Sequence, residues 1–369
     1  MKRLIIEHPS SFIDKQFGDA MRNAALEAEQ LLDLHPDQLE LIHQQGWLKM
    51  FIPKEYGGLG WSLPEVLRVE ESLSWADGST GWVVTLCAGA GWFSGFLQPS
   101  LLKQILLNDK VCFAGSGAAT GIANLTPEGY AINGFWKYAS GSLHATVFTA
   151  NCVIKKDGLP QFHTDGSPLI RAFLLYKDEV ILHRHWNSMG MVATASHSFE
   201  VKSLSVPAAR CFKIDAKHAM LKDPVYQYPF LQFAETTLTI NLSGMAMRFL
   251  DLCEKIFSEK MQRGNGLQPK IPDLHQILSA ANVEMDKYRN EFYSAVDTSW
   301  QICERGEVLP EHVLNEVSKT SYALAHRSRQ LVNELYPYCG LIAANTQTEL
   351  NRVWRNIHTA SQHALFTSG

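Results

Sequence analysis

The spacing of apolar positions predicts helices in the first third of the chain. Phe17, Met21, Ala24, Ala28 and Leu31 recur every three or four residues, which is the period of an amphipathic helix. The pattern predicts further helices over 34–48, 63–77 and 77–97, and the last is nearly all apolar with small residues for close packing. We therefore expect a helical region between about residues 10 and 107.

The pattern changes between about residues 111 and 212. Short segments rich in β-branched and aromatic residues are separated there by Gly, Asp, Asn and Pro, which is typical of antiparallel strands. These segments cover 129–141, 146–154, 170–177, 179–186 and 197–207. They predict a small β domain in the middle of the chain.

Helical periodicity returns after residue 225. The pattern predicts helices over 230–263, 273–304, 310–335 and 345–366, and Thr346 and Glu349 have capping-box spacing at the start of the last one. Four long antiparallel helices form a bundle. The predicted fold is α+β and mostly α, with domains at 1–110, 111–215 and 216–369.

Composition narrows the classes of partner. The 369 residues contain 33 Lys+Arg and 37 Asp+Glu, a formal net charge of −4, and no more than two basic residues are adjacent. This argues against a nucleic-acid-binding groove, which needs a clustered Lys/Arg surface, and no apolar stretch reaches membrane-spanning length. Seven cysteines without a CxxC pair favour a reducing compartment over a disulfide framework or a zinc site. We expect a cytoplasmic protein without a metal.

Several segments, in order along the chain, resemble the acyl-CoA dehydrogenase superfamily. They are IPKEYGGLGWS at 52–62, FAGSGAATGIANLTPEGYAINGFWKYASGSLHA at 113–145, HWNSMGMVATASHSFEVKSLSVP at 185–207 and RVWRNIHTASQH at 352–363. Members have an N-terminal helical domain, a middle β-barrel-like domain and a C-terminal four-helix bundle. The resemblance implies this fold, with the active site where the three parts meet.

Two segments are more similar to one branch, the two-component flavin monooxygenases of the phenol and hydroxyphenylacetate hydroxylase type. These are DGSTGWVV at 77–84 and RVWRNIHTASQH, whose last residue, His363, matches a histidine that faces flavin and substrate in that branch. Acyl-CoA dehydrogenases carry a catalytic glutamate at about this place, and this chain has none there. The resemblance implies an oxygenase that uses reduced FAD or FMN and O2 on a small aromatic or hydrophobic substrate. It also implies a separate flavin reductase as partner and a homotetramer or homodimer.

The resemblance assigns residues to the flavin. It places Tyr138 over the ring and the Ser140 hydroxyl near N5, and two positions apart on one strand both would project from the same face. Further residues implied at the flavin are Ser116, Gly117, Thr194 and Ser196. The alternative is that Tyr138 is a core aromatic residue and Ser140 a turn residue. The glycines of GSGAATG at 115–121 do not have dinucleotide-loop spacing, so they indicate backbone that lines a cleft.

A histidine suits acid–base work at neutral pH because its ordinary pKa lies near 6.5. We expect His363 to be the catalytic acid or base, with Asn356, seven residues earlier, on the same helix face. His144 is a second candidate for the substrate pocket. His358 and His363 are five residues apart, which does not suit a metal pair on one helix face. The alternative for His363 is a structural histidine between bundle helices.

Two other functions remain open. Glu235, nine residues before Gly244, fits the place of the catalytic base in some acyl-CoA dehydrogenases, where it would take a proton α to a thioester. The second is a flavin-binding protein without activity, because the segments 88–93 and 190–196 lack a histidine and an arginine that the monooxygenases often have. Arg263 followed by Gly264 and Gly266 partly resembles a segment that reaches the cofactor of a neighbouring subunit in tetramers.

Overall fold

The structure, a computed structural model, describes residues 6–262 and 273–367. The segment from Arg263 to Gly266 therefore lies outside the described residues. The N-terminal part consists of helices α1 (Lys15–Leu31), α2 (Pro36–Gln44), α3 (Leu63–Ala76), α4 (Gly78–Gly91) and α5 (Pro99–Ile105). The predicted helical region is confirmed.

The junction of α3 and α4 follows from local capping. Ser62 and Glu65 form a capping box at the start of α3, and the side chain of Asp77 accepts a hydrogen bond from the Thr80 amide at the start of α4. A Cβ at Gly78 would lie 2.7 Å from the Met245 sulfur. Only a residue without a side chain lets α4 begin this close to the C-terminal helices.

The middle part is one sheet with β1 (Phe113–Thr126), β2 (Gly129–Ala139), β3 (Val147–Lys156), β4 (Leu159–Pro160), β5 (Ile170–Tyr176), β6 (Ile181–His183), β7 (His197–Pro207) and β8 (Cys211–Phe212). The order is β6-β7-β2-β1-β3-β5-β8, and β4 pairs with β3. The pairings among the described strands leave β6 and β8 as edges, so the sheet is open. These pairings include none that would close the sheet into a barrel.

The prediction of an entirely antiparallel sheet is wrong at one pair, since β1 and β3 run parallel. A tight turn joins β1 to β2, and β3 then takes the free edge of β1 in the same direction as β1. The strand β1 itself was predicted only as cleft-lining backbone. Its register with β3 shifts between Ser116 and Gly121, which interrupts the regular alternation of a strand.

The C-terminal part contains α6 (Phe230–Gln262), α7 (Leu274–Glu304), α8 (Glu311–Cys339), α9 (Leu341–Ala344), α10 (Glu349–Ala360) and α11 (Ala364–Thr367). The helices α6, α7, α8 and α10 pack together as the predicted bundle. The bounds of the last helix were predicted wrongly. Thr348 is its N-cap, in place of Thr346, because the Thr348 side chain accepts a hydrogen bond from the Asn351 amide, and the helix ends at Ala360.

Two apolar cores hold these parts together. One joins the N-terminal helices to the bundle and includes Phe51, Trp92 and Phe233, and the other lies within the sheet around Trp136 and Phe199. Helix α4 contacts β1, α6 and α10, so all three parts meet along it. No described helix is both long and apolar enough to cross a membrane.

Candidate active site

A buried group of three hydroxyls, which we call the hydroxyl cluster, lies where β2 ends. It consists of Ser140, Ser196 and Thr194. Ser140 Oγ and Ser196 Oγ share a hydrogen bond of 2.8 Å, and Ser196 Oγ lies 2.7 Å from Thr194 Oγ1. The indole Nε1 of Trp82, on α4, donates to Ser140 Oγ at 3.2 Å. All four residues are buried and uncharged.

The backbone beside this cluster is strained. Tyr138, Met191 and Ala195 have φ angles of +67°, +55° and +45°, although none is glycine. Such conformations cost on the order of 1–3 kcal/mol each and persist only where neighbouring contacts impose them. One such contact is the Gly141 amide, which donates to the Thr194 carbonyl at 2.9 Å.

Helix α10 fixes the loop that carries Thr194 and Ser196. The Met191 amide donates to Asn356 Oδ1 at 2.6 Å, and the Gly190 amide donates to Thr359 Oγ1 at 3.0 Å. A Cβ at Gly190 would lie 2.1 Å from the Arg355 carbonyl oxygen, so glycine is required for this approach. Asn356, predicted as a pocket residue, is therefore engaged with the loop and fully buried.

The prediction that Tyr138 and Ser140 project from one face is wrong. The left-handed conformation of Tyr138 breaks the alternation, so Tyr138 is 62% exposed while Ser140 is 5% exposed. The Tyr138 ring lies edge-on to Trp186, with centroids 5.8 Å apart. Trp186 Nε1 donates at 2.9 Å to the Met191 carbonyl, which Thr194 also contacts. Tyr138 and Trp186 thus form an aromatic surface next to the hydroxyl cluster.

His363 lies in the turn between α10 and α11, so the prediction that it shares a helix face with Asn356 is wrong. Its ring packs against Trp82, with centroids 6.1 Å apart. Burial lowers the pKa of His363 below its usual 6.5. Its Nδ1 accepts a hydrogen bond from the Leu365 amide at 3.3 Å, which leaves the proton of the neutral ring on Nε2.

Charged groups near the cluster are paired with one another. His144 Nε2 lies 2.8 Å from Asp33 Oδ1, so this predicted pocket residue has an acidic partner. Arg355 donates two hydrogen bonds to Glu29, of 2.9 and 2.8 Å. The described residues contain no group of three or more His, Cys, Asp or Glu placed to hold a metal ion.

Glu235 lies on the side of α6 that faces α8. Ser318 Oγ donates to Glu235 Oε2 at 2.5 Å, and burial raises the pKa of Glu235 above its usual value. The described residues show no contact between Glu235 and the hydroxyl cluster or His363.

Ser116 and Gly117 lie at the irregular stretch of β1. Asn151 Nδ2 donates to the Gly117 carbonyl at 2.9 Å, and a Cβ at Gly117 would meet nothing within 4 Å. Gly117 is exposed and Ser116 half-buried. No contact in the described residues joins them to the hydroxyl cluster.

Sequence reasoning missed Trp82. Although DGSTGWVV carried part of the resemblance, no role was assigned to its tryptophan. A signal was present, because an indole N–H in a helix that is otherwise nearly all apolar needs a hydrogen-bond acceptor when it is buried. Trp82 lies between Ser140 and His363, because its indole N–H donates to Ser140 Oγ and its ring packs against the His363 imidazole. It therefore connects the hydroxyl cluster to an ionisable ring.

This donor set suits a neutral heteroaromatic ring. Hydroxyls both donate and accept, so they can serve ring nitrogens and carbonyl oxygens alike. The exposed Tyr138 ring and the half-buried Trp186 ring offer a surface for stacking. A flavin ring has these properties, so the residues present fit this cofactor.

Comparisons with known proteins agree with this architecture. The family described as "Acyl-CoA dehydrogenase, N-terminal domain" matches residues 2–94, and "Acyl-CoA dehydrogenase, C-terminal domain" matches residues 237–368. Together they span more than half of the chain.

Relatives that match over most of their length are monooxygenases by name. Indole-3-acetate monooxygenase of Acinetobacter baumannii is 26% identical over 333 residues, 89% of this chain and 83% of that protein. The oxygenase subunit HsaA of a flavin-dependent monooxygenase from Rhodococcus jostii is 22% identical over 354 residues, 93% of this chain and 91% of that protein. The solved structure of XiaF from a Streptomyces species, in complex with FADH2 and glycerol, has a TM-score of 0.86 and 19% identity, covering 97% of this chain and 91% of that chain. This last likeness shows the fold.

Proposed function

Because this chain belongs to the acyl-CoA dehydrogenase superfamily, we propose that it is the oxygenase component of a two-component flavin monooxygenase. Its substrates are small aromatic or hydrophobic molecules, and its co-substrates are O2 and reduced flavin from a separate reductase. An indole-3-acetate monooxygenase and the oxygenase subunit of a flavin-dependent monooxygenase among its relatives support this proposal. The oligomeric state remains a prediction.

One structural observation carries the proposal. Ser140, Trp82 and His363 form a continuous path from a buried hydroxyl to a half-buried histidine, through the hydrogen bond of 3.2 Å and the ring contact of 6.1 Å. A reduced flavin supplies two electrons and activates O2. The protein must then orient the ring, exclude water and place an acid or base near the substrate.

The hydroxyl cluster orients the cofactor. Because Trp82 donates to Ser140 Oγ, the Ser140 proton points away from Trp82, toward Ser196 or toward a ligand. The exposed Tyr138 ring and the half-buried Trp186 ring support the flat face of the bound ring. Ser116 and Gly117 at the β1 irregularity remain candidates for the outer part of the flavin.

His363 is the acid or base. Its pKa is lowered by burial, so the ring is neutral at physiological pH. With its proton on Nε2 the ring donates a hydrogen bond to a substrate oxygen, and it accepts a proton from a phenolic or indolic substrate in the other tautomer, which gives up the 3.3 Å bond from the Leu365 amide. Its Nε2 has no protein partner among the described residues and is therefore available to a substrate. Trp82 forms one wall against which a flat aromatic substrate can pack.

The test uses the purified full-length chain mixed with chemically reduced FMN or FADH2 in aerated buffer, with indole or phenol as the probe. Stopped-flow absorbance follows flavin oxidation, hydrogen peroxide release is measured separately, and 18O2 labelling detects oxygen in the product. The protein is expected to change the rate of flavin oxidation and to delay peroxide release, even without a substrate. His363→Ala is expected to reduce transfer of oxygen to the probe by about 10²–10⁴-fold.

His358→Ala is the matched control, since His358 lies on α10 and bonds to Asn333 away from the cluster. Oxidation and peroxide release that are identical with and without the protein would contradict the proposal. The dehydrogenase alternative is tested by anaerobic addition of butyryl-CoA and octanoyl-CoA to the flavin-loaded protein. Bleaching of the flavin that is lost in Glu235→Gln would support that alternative.

A further inference from the structure

A cavity of about 430 Å³ lies beyond the C-terminal end of α4, whereas the hydroxyl cluster contacts Trp82 in the first half of this helix. Phe96 follows Trp82 by fourteen residues, which corresponds to about 20 Å at a helical rise. The buried side chains of Phe96, Phe212 and Ala219 form an apolar part of its lining. A cavity of this size suits a small ligand with a single ring.

The rim of this cavity is cationic. Its lining includes Arg171, Lys213, Lys217 and His218. The carboxylate of Asp215 lies 2.9 Å from Lys213 and 3.5 Å from His218, so it neutralises at most part of this charge. In the described ranges Arg171 donates only to a main-chain carbonyl, and the Lys217 ammonium has no acidic partner. Two cations thus face the cavity without a counter-charge from the protein.

The cavity is built from elements that are tied together. The strands β5 and β8 pair through Ala172 and Phe212, which sets Arg171 beside the aromatic lining. The linker after β8 is anchored because the Met220 and Leu221 amides donate to the Gly95 carbonyl at 2.7 and 3.1 Å. Arg171 and Lys217 therefore come from two segments that are each fixed by main-chain hydrogen bonds.

We propose that this cavity binds a small organic anion. A carboxylate or phosphate group contacts Arg171 and Lys217, and an aromatic or aliphatic body packs on Phe96 and Phe212. Charge-assisted hydrogen bonds from arginine and lysine are the usual way to hold such groups. Arg171 supplies a planar fork and Lys217 a point charge. The site lies apart from the hydroxyl cluster, so its occupancy does not depend on the proposed oxygenase reaction.

Fluorine NMR of the full-length chain tests the proposal with three probes of one shape. They are 4-fluorobenzoate, 4-fluorophenyl phosphate and the uncharged 4-fluorobenzamide. We expect saturable binding of at least one anion, weaker at high salt, and no binding of the amide. The two anions distinguish a carboxylate site from a phosphate site. The double variant Arg171→Gln/Lys217→Gln is expected to weaken binding about tenfold or more.

Lys103→Gln/Lys222→Gln is the control, because both lysines are exposed and outside the cavity lining. It removes the same charge and should bind the anion like the unmodified protein. Circular dichroism verifies that both double variants are folded, and flavin binding should be unchanged in both. The proposal is overturned if neither anion binds, if the two double variants bind equally well, or if excess FMN displaces the anion competitively.

Discussion

Two buried polar clusters lie against the adjacent N-terminal helices α3 and α4, and they differ in charge. On α3, the carboxylate of Glu71 accepts hydrogen bonds of 2.8 Å from Arg289 Nε, Arg289 Nη2 and the Tyr293 hydroxyl, together with a bond from Ser243. This charged cluster, which we call the Glu71 cluster, joins α3, α6 and α7. The hydroxyl cluster next to α4 carries no charge and stands beside three strained residues.

This difference in charge and in hydrogen bonding indicates the role of each cluster. Burial alone would raise the pKa of Glu71, but Arg289 and the surrounding hydrogen bonds lower it below its usual value. The protein thus supplies all of these hydrogen-bond partners of Glu71, which is typical of a structural centre, a cluster that stabilises the fold. The hydroxyl oxygens keep acceptor capacity, and Tyr138 next to them is exposed. Strained backbone is typical of a functional site.

The largest effect is expected from a substitution that breaks the Glu71 cluster. Arg289→Met leaves the ionised Glu71 buried without a cation, and such a loss costs about 3–5 kcal/mol of unfolding free energy. Urea denaturation measures it. The control is Arg305→Met, since Arg305 pairs with Glu307 at the surface and its loss should leave stability unchanged. Equal stability of the two variants would mean that the Glu71 cluster is not a structural centre.

A smaller effect is expected at the hydroxyl cluster, where a substitution should weaken flavin binding more than it lowers the free energy of unfolding. Ser140→Ala should raise the dissociation constant of FMN or FAD by about tenfold, since it removes one hydrogen bond to the ring. Fluorescence quenching of the flavin gives the constant. Ser142→Ala is the matched control, because this serine is also buried but donates to the Ala195 carbonyl. If both variants bind flavin equally well, Ser140 does not contact the ring.

Glu70, the neighbour of Glu71 on α3, allows a buried carboxylate with few partners to be compared with a fully paired one in the same helix. Its two oxygens have no hydrogen bond of good geometry in the described residues, and burial raises its pKa well above the usual 4.5. A raised pKa means that stability is full below about pH 4.5 and falls as pH rises toward the folded-state value. Glu70→Gln should therefore stabilise the protein at pH 8 and change little at pH 4.

Denaturation curves between pH 4 and pH 8 test this, with Glu71→Gln as the opposite case. Glu71 has a lowered pKa, so its contribution is present above about pH 4.5 and is lost as the pH falls through the folded-state value. Glu71→Gln should destabilise the protein at pH 8. A loss of stability at pH 8 in Glu70→Gln would show that Glu70 has a partner.

The smallest effect concerns the pH dependence of the proposed reaction. The lowered pKa of His363 keeps its ring neutral down to a pH below 6.5, so the acid limb of kcat/KM should have its midpoint below 6.5. The limb should disappear in His363→Gln. A midpoint that is unchanged in this variant would assign the titration to another group.

Hydrophobic periodicity predicted much of the fold. The helices of both ends, the five predicted strand segments and the bundle were found from the spacing of apolar residues, because each element buries one face. The parallel pairing of β1 with β3 was not found, since pairing direction depends on where a strand enters the sheet. The break after Ala360 was also missed, as it has no glycine or proline to mark it.

The sequence by itself determined the order of elements, the family and the type of residues at the site, including Ser140 and His363. Only the tertiary structure decided which of these side chains meet. The positive φ of Tyr138 turns its side chain away from Ser140. Because α10 ends before His363, the His363 ring packs against Trp82 and does not share a helix face with Asn356. Such conformations are imposed by contacts between segments far apart in sequence, as between Met191 and Asn356. Local spacing cannot encode them, because their cost is offset only in the assembled fold.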